Sequence, residues 1–590
     1  MRRLAEVLEA ISQTTSKLQK IDLLAGYLRS LDDEEVRIAC TYFTGAPFPA
    51  WDGRVLNVGW SAIVEALRDV SGASEDDLEA SYLQHGDLGQ AASELLTRKA
   101  RPALFHTPLT LRAVDGAFTH MAAATGKGSR QTKIEGMRSL LSDADPLEAK
   151  YLVRIITSDM RVGLKAGLLE EAIARAFDQL LSDVRRANML TSDIGAVAVL
   201  ARHGRLQEAH LQLFRPFHFM LAETIFSAEE AFEAGPSTGL RAGRVDGDGG
   251  GPFDGAQGRP PVSLVVEDKY DGIRAQVHCD GQHLVIFTRT LDSITASFPE
   301  LHGELLALGR SYIIDGEIVA WKDGRAIPFT LLQQRLRRKN PAALMGAVPV
   351  VMFVFDLLCL GSEELLDRPV AERQQILDTL RFGRAVQRAF ATMASTPADL
   401  EARFREARDR GNEGLVVKRP DSRYQPGRRG RQWVKWKEAL ATLDVVVVAA
   451  EYGHGKRAGV LSDVTFAVRD GDRLAPIGKA YSGLTDAEIA SLTAWYLAHT
   501  VRDHGRVKFV EPKILLEVAF DAVTRSARHP SGYALRFPRI KRIRDDKTPE
   551  EINTLEDVAR IFDRQGASRG GVSPKLVRQE AGGYHFDAPR

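Results

Sequence analysis

Val265-Val266-Glu267-Asp268-Lys269-Tyr270-Asp271-Gly272-Ile273-Arg274 is the stretch from which the rest of this chain is best read. An apolar run delivers a lysine to the end of a strand, and Asp-Gly turns the chain back. Residues two apart on a strand share a face, so Glu267 and Lys269 project together. An amine attacks only when unprotonated, so a catalytic lysine needs burial or nearby cations to lower its pKa. The plain alternative is a hairpin whose lysine reaches solvent along its own apolar stem. This stretch alone does not choose between them.

Four more stretches lie downstream. Ile313-Ile314-Asp315-Gly316-Glu317-Ile318-Val319 reads as a strand with an Asp-Gly turn that presents Glu317. Phe353-Val354-Phe355-Asp356-Leu357 is an apolar strand with an aromatic and an acid near its end. Glu413-Gly414-Leu415-Val416-Val417-Lys418 is a strand headed by a carboxylate. In Trp433-Val434-Lys435-Trp436-Lys437 the two lysines share one face. Each alone is ordinary: Asp-Gly is common hairpin chemistry, and Arg428-Arg429-Gly430-Arg431 passes for a solvated loop.

The bulk numbers set limits. The chain has 590 residues, 44% of them hydrophobic, enough for three or four domains. Net charge is +1, so any polyanion must be held by local basic patches. Cys40, Cys279 and Cys359 are scattered and form no Cys-x-x-Cys pair, which argues against structural zinc or a disulfide framework and fits a reducing, cytoplasmic compartment. The amphipathic start has no signal-peptide core, and the apolar run Val445–Ala450 is too short to span a bilayer.

Residues 1 to about 230 read as helical. Leu4, Val7, Leu8 and Ile11 recur at helical spacing, as do Leu168, Ala172, Ile173 and Ala176, and Thr15-Ser16 and Ser74-Glu75-Asp76-Asp77 read as helix starts. Within this region Gly126-Lys127-Gly128-Ser129-Arg130-Gln131-Thr132-Lys133 reads as a basic loop whose amides and cations suit phosphates; a solvated glycine-rich turn fits equally well. From Gly235 to Pro261 the composition turns to Gly, Pro, Asp and Arg, a flexible linker. Short strands follow at Leu284–Thr288, Tyr312–Ile314, Ile318–Trp321, Val350–Phe355, Gly414–Val417 and Trp433–Trp436, with helices at Pro328–Arg338 and Pro369–Leu380. A second set, including Val445–Ala449, Val464–Val468 and Ile514–Phe520, suits a small β-barrel.

Together, in this order, the motifs resemble the covalent nucleotidyltransferase superfamily, and within it the ATP-dependent DNA ligases. The resemblance is carried by Lys269-Tyr270-Asp271-Gly272-Ile273-Arg274, Thr288-Arg289 (where the family more often has serine before arginine), Asp315-Gly316-Glu317, Phe355-Asp356, Glu413-Gly414 and Lys435-Trp436-Lys437. Leu535-Arg536-Phe537-Pro538-Arg539 and Arg542-Ile543-Arg544-Asp545-Asp546-Lys547 are similar to the family's C-terminal motif. Arg215-Pro216-Phe217-His218-Phe219-Met220-Leu221-Ala222 resembles its Arg-Pro-Met-Leu-Ala segment, with three residues inserted. Ser158-Asp159-Met160-Arg161-Val162-Gly163-Leu164 is similar to the DNA-binding domain of replicative-type ligases. Arginine outnumbers lysine and alanine and glycine abound, a composition that hints at a GC-rich bacterial genome.

The resemblance implies a multidomain chain: an all-α DNA-binding domain over 1–234, an α+β nucleotidyltransferase (adenylation) domain over 262–440 and a C-terminal OB-fold β-barrel over 441–565; the linker over 235–261, unusual for the family, and a loose tail over 566–590 are read from composition. It implies that Lys269 attacks the α-phosphate of ATP to form lysyl-AMP, that the AMP passes to the 5′-phosphate of a nick, and that the 3′-hydroxyl then seals the strand. Arg274, Arg289, Lys435 and Lys437 would neutralise phosphates, the two lysines also lowering the pKa of Lys269. Glu317 and Glu413 would hold Mg2+, with Mn2+ as the alternative ion. Phe355 would stack on adenine, Glu267 would accept from its amine, and Asp271 would contact the ribose or orient the site. Arg536 and Lys547 would meet pyrophosphate. The partner would be nicked duplex DNA, encircled by a monomer away from membranes, with Lys127, Arg130 and Lys133 as phosphate contacts. A sliding-clamp partner is not legible.

Other readings stay open. A capping guanylyltransferase or RNA ligase would use the same lysine, although the helical region and Lys435-x-Lys437 count against capping. An NAD-dependent ligase would carry a four-cysteine zinc module, and a P-loop enzyme a Gly-x-x-x-x-Gly-Lys-Ser/Thr string; the sequence has neither. A non-catalytic DNA scaffold would not require Lys269, Glu317, Glu413 and Lys435.

Overall fold

The computed structural model describes residues 1–98, 108–233, 263–336, 342–437, 441–453, 457 and 459–568. The chain divides into two compact units, Met1–Glu438 and Ala439–Arg590. The linker expected over 235–261 and the tail beyond 568 lie outside the described residues. The tail's first expected residues, from Gly566, fall in a helix, Leu555–Ser568.

Among the described residues twelve helices run from Arg2–Gln13 to Ile194–Arg202. Leu4, Leu8 and Ile11 are fully buried and Val7 packs beside them, as their spacing requires. Ser16 accepts from the Gln19 amide, and Ser74 and Asp77 form a reciprocal capping box. Two helices that pack together, Trp60–Ser71 and Ser129–Asp143, begin after Gly59 and Gly128 with no side-chain cap. The expected basic loop is therefore shorter than its sequence suggests: Gly126 and Gly128 turn in the left-handed region, and Arg130 to Lys133 already belong to a helix. Buried Ile134, Met137, Leu140 and Leu141 explain this, because their spacing commits the segment to a helical face.

The helical stretch ends at Arg202, earlier than expected. Leu221–Ile225 is instead an edge strand, paired in parallel with Arg429–Lys437. It opens a five-stranded sheet that continues through Arg429–Lys437, Gly414–Lys418, Leu264–Lys269 and Ala391–Ala394. A second sheet runs Leu284–Thr288, Ile273–Cys279, Tyr312–Lys322, Val350–Leu360 and Glu363–Glu364. Val265 and Trp433 from the first sheet meet Ile313 and Leu358 from the second, with Phe217 and Met220 filling the layer. The expected separate strands Tyr312–Ile314 and Ile318–Trp321 are one strand, Tyr312–Lys322. Asp315-Gly316 makes no turn there, because Asp315 is held by Arg274 and Gly316 lies against the neighbouring backbone; a Cβ on it would sit 2.7 Å from the Phe353 carbonyl oxygen.

The second unit is the strand-rich C-terminal barrel. Its longest strand, Ala441–Tyr452, pairs with Leu461–Asp470 along one edge. Along the other it pairs first with Leu515–Phe520, then with Val507–Val510. Register shifts at Val447/Ala449 and Glu451/Tyr452 coil it, as closure of a small sheet demands. The Asp486–Ala498 helix, started by a Thr485/Glu488 capping box, buries Leu492 and Tyr496 against this core. All three cysteines are free and buried. Among the described residues no helix is long and apolar enough to cross a membrane.

Candidate active site

The site lies in the first unit, on the face of the five-stranded sheet that turns toward the second sheet. Directly opposed residues on neighbouring strands share a face. One row runs Lys269, Gly414, Lys437, and the next runs Glu267, Val416, Lys435. A third runs Val265, Lys418, Trp433. The face thus grades from apolar at Val265 and Trp433, through a buried charge pair, to the lysines at its edge.

Two motif glycines are required by close approach. Gly272 lies in the turn after Lys269, and a Cβ there would stand 2.3 Å from the Ile318 carbonyl oxygen. Gly414 has φ +150° and would place a Cβ 2.2 Å from the Trp436 carbonyl oxygen. Tyr270 stacks on Phe353 with ring centroids 4.2 Å apart, which anchors the turn between Lys269 and Arg274.

Lys269 is ion-paired with Glu413, whose amide also donates to the Lys269 carbonyl at 2.9 Å. Burial favours the neutral amine, but Glu413, then Glu317 and Asp271, outweigh it, and the pKa of Lys269 is raised above the ordinary lysine value. The expected depression by Lys435 and Lys437 is therefore not what this structure shows; carboxylates dominate. Lys435 moves the other way, lowered by burial first and then by the charges of Lys269, Arg429, Lys437 and Arg289. Arg289 itself is exposed. Burial raises Glu317 to about 8, against the pull of Lys269 and Arg274.

Arg274 stands opposite Glu317 across the strands. Its fork reaches the fully buried Asp315 at 3.1 and 2.7 Å and the Met220 carbonyl at 2.7 Å. Its guanidinium lies 4.9 Å from the Phe219 ring centroid and 5.4 Å from that of Phe355. Phe355 is the extra residue of a bulge, since Asp315 faces Asp356 while Gly316 faces Val354. The bulge re-aims this ring relative to its strand neighbours.

Glu267 is 2% exposed and meets Lys418 Nζ at 2.8 and 2.7 Å. Gln374 Nε2 donates to the same carboxylate at 2.8 Å and to the Phe355 carbonyl at 3.2 Å. Lys418 Nζ lies 4.8 Å from the Phe355 ring centroid and 4.3 Å from that of Trp433. Tyr424 donates to Asp315 at 2.7 Å and accepts from the Met220 amide. Lys418, Gln374, Asp315 and Tyr424 escaped the reading of the sequence as site residues. Asp315 stood inside a recognised motif, and Lys418 carried a signal of its own: it closes an apolar strand in phase with Gly414 and Val416, as Lys269 closes its own.

The structure thus brings Glu267, Lys269, Asp271, Arg274, Arg289, Glu317, Phe355, Glu413, Lys435 and Lys437 into one neighbourhood. Arg536 and Lys547 belong to the second unit, where Arg536 lies 5.0 Å from the Phe537 ring centroid and Lys547 pairs with Asp444 at 2.7 Å. Lys127, Arg130 and Lys133 are in the helical region. Among the described residues no group of three or more His, Cys, Asp or Glu is gathered as a metal site. Two carboxylates beside Lys269 fit a Mg2+ that takes its other oxygens from water and phosphates.

Comparison with known proteins covers all three parts of the chain. Residues 220–437 match the family model described as ATP dependent DNA ligase domain. Residues 1–174 match DNA ligase N terminus, and 457–547 match ATP dependent DNA ligase C terminal region. A probable DNA ligase of Koribacter versatilis is 46% identical, covering 96% of this chain and 97% of its own. A DNA ligase of Methanoculleus marisnigri is 36% identical over 96% and 99%. A solved structure titled Pmar-Lig_PreS3 shares the fold with a TM-score of 0.55 at 16% identity, over 92% of this chain and 99% of that one.

Proposed function

Because the chain belongs to the ATP-dependent DNA ligase family, we propose a specific division of labour among its site residues. The reaction itself follows from membership. A lysine amine takes AMP from ATP and releases pyrophosphate, the AMP passes to the 5′-phosphate of a nick, and the 3′-hydroxyl displaces it to seal the strand. The family serves replication, repair and recombination, and the sequence does not choose among these roles.

In this reading Lys269 is the nucleophile. The observation that carries it is the convergence on Lys269 Nζ of Glu413, Glu317 and Asp271, with Lys435 and Lys437 on the same sheet face. The amine attacks only after its pair with Glu413 opens, because a protonated lysine has no lone pair. Burial, the largest single influence on it, then favours the neutral form. Arg274, Arg289, Lys435 and Lys437 align and neutralise phosphates, which is most of what phosphoryl transfer asks of a protein. Phe355 stacks on adenine, Glu267 receives its amine, and Asp271 contacts the ribose. Glu317 and Glu413 hold Mg2+, or Mn2+ in its place, which supplies charge neutralisation at the phosphates. Arg536 and Lys547 meet the pyrophosphate from the second unit. The enzyme works as a monomer around nicked duplex DNA, whose sequence it does not read.

The test is incubation with α-labelled ATP, or GTP, and Mg2+, followed by denaturing electrophoresis. Label from ATP alone on wild type, absent from Lys269→Ala, is expected. Label retained by Lys269→Ala would move the nucleophile elsewhere, and label from GTP would favour capping chemistry.

A further inference from the structure

In the helical region a cavity of about 200 Å3 opens between the starts of the Trp60–Ser71 and Ser129–Asp143 helices. Asn57, Gly59, Ser61, Ser129, Arg130 and Lys133 line it. Both helices begin at glycine with no side-chain cap, so partial positive charge gathers at their starts, although the Ser129 amide already donates to the Gly126 carbonyl at 3.3 Å. Lys133, which also lines the cavity, is only 8% exposed. Among the described residues no hydrogen bond or ion pair engages its ammonium. Arg130, exposed at the rim, is paired with Glu65 at 2.6 Å. The stem of Lys133 is buried while its unpaired ammonium stays accessible, and there it adds to two helix N-termini of the same sign. Such an arrangement asks for an anion.

We propose that this cavity seats one backbone phosphate of the DNA, held by Lys133 Nζ and by the positive ends of the two helices. The seat rests on the reading of the chain as a DNA ligase and names where the helical region grips its substrate. A single phosphate suits the cavity better than a base, because Lys133, Arg130, Asn57 and the Ser61 and Ser129 hydroxyls offer donors while Ala62 is the one apolar side chain in the lining. Lys127, exposed on the turn before the second helix, lies outside the lining and adds only long-range attraction.

The test is anisotropy titration of a nicked duplex with the full chain over a series of KCl concentrations, for wild type, Lys133→Met and Gly59→Asp. Losing one charged contact should weaken binding by about tenfold. The slope of log K against log salt should shrink by about 0.9, the share of one phosphate. Gly59→Asp separates the seat from simple misfolding. Gly59 has φ −77° and open space where a Cβ would go, so aspartate there caps the helix and should raise Tm while its charge repels the phosphate. Opposite signs in Tm and affinity support the seat. An unchanged salt slope in both variants overturns it. Inorganic phosphate is the second probe. If it raises the wild-type Tm while Lys133→Met leaves the DNA slope intact, the site takes a free anion and the DNA assignment is overturned. Charging of Lys269 by ATP is read on the same preparations: intact charging with an unchanged slope undoes only the seat, whereas a wild type that never charges undoes the ligase reading beneath it.

Discussion

The face that carries Lys269 and the helical cavity each bury a lysine, and they do so in opposite ways. Lys418, 1% exposed, is neutralised by both oxygens of Glu267 and lies against the Phe355 and Trp433 rings. Lys133, 8% exposed, has helix N-termini where Lys418 has a carboxylate. The first lysine completes the protein's own architecture. The second leaves a charge open for something else to complete. Burial alone therefore says little about function; what matters is whether the fold has already supplied the counter-charge.

The sharpest way to break this contrast is Lys418→Met. It leaves the Glu267 carboxylate buried without its partner, and removing one member of such a pair costs about 3–5 kcal/mol. The shift should appear in the urea midpoint of the full chain followed by tryptophan fluorescence, with Trp433 reporting beside the lesion. A loss below about 1 kcal/mol, the range of an exposed pair, would show that Lys418 is not the structural member of the comparison. Next in size is Ser74→Ala, which removes a capping box from a helix close in sequence to the uncapped one. It should cost about 1 kcal/mol in calorimetry and leave affinity for nicked DNA unchanged. A drop in affinity would mean that helix starts in this region act on DNA whether or not they are capped. An effect of similar size concerns a cation held by rings as well as by a carboxylate. Phe219→Leu removes one aromatic face from Arg274, worth about 1 kcal/mol, so KM for ATP in lysine charging should rise roughly fivefold. Phe219→Tyr should keep the wild-type value. Equal KM for Leu and Phe at this position would reduce the ring to mere filler.

Much of the candidate site's arrangement was legible because strands encode faces. Period-two alternation places Glu267 beside Lys269 and Lys435 beside Lys437 whatever the rest of the chain does, and pairing through Gly414 and Val416 then aligns the two sets. The same logic misread Asp315-Gly316. Locally that dipeptide looks like a turn, but Arg274 and the Phe353 backbone, both distant in sequence, keep the strand continuous. It also misjudged Lys269, since the lysines on its face were visible as neighbours while the pull of Glu413, Glu317 and Asp271 depends on distances no motif contains.

By itself the sequence determined which residues stand on which face, the change from a helical to a strand-rich region, and the family to which the motif order belongs. Tertiary structure alone decided the partners. Glu267 finds Lys418 across 151 residues, and Tyr424 finds Asp315 across 109. Gly59 and Lys133 line one cavity only because two helices pack. The reason is physical: side-chain direction follows from local backbone geometry, which a short stretch of sequence encodes, whereas charge compensation and burial depend on which distant segments the folded chain brings within a few ångströms.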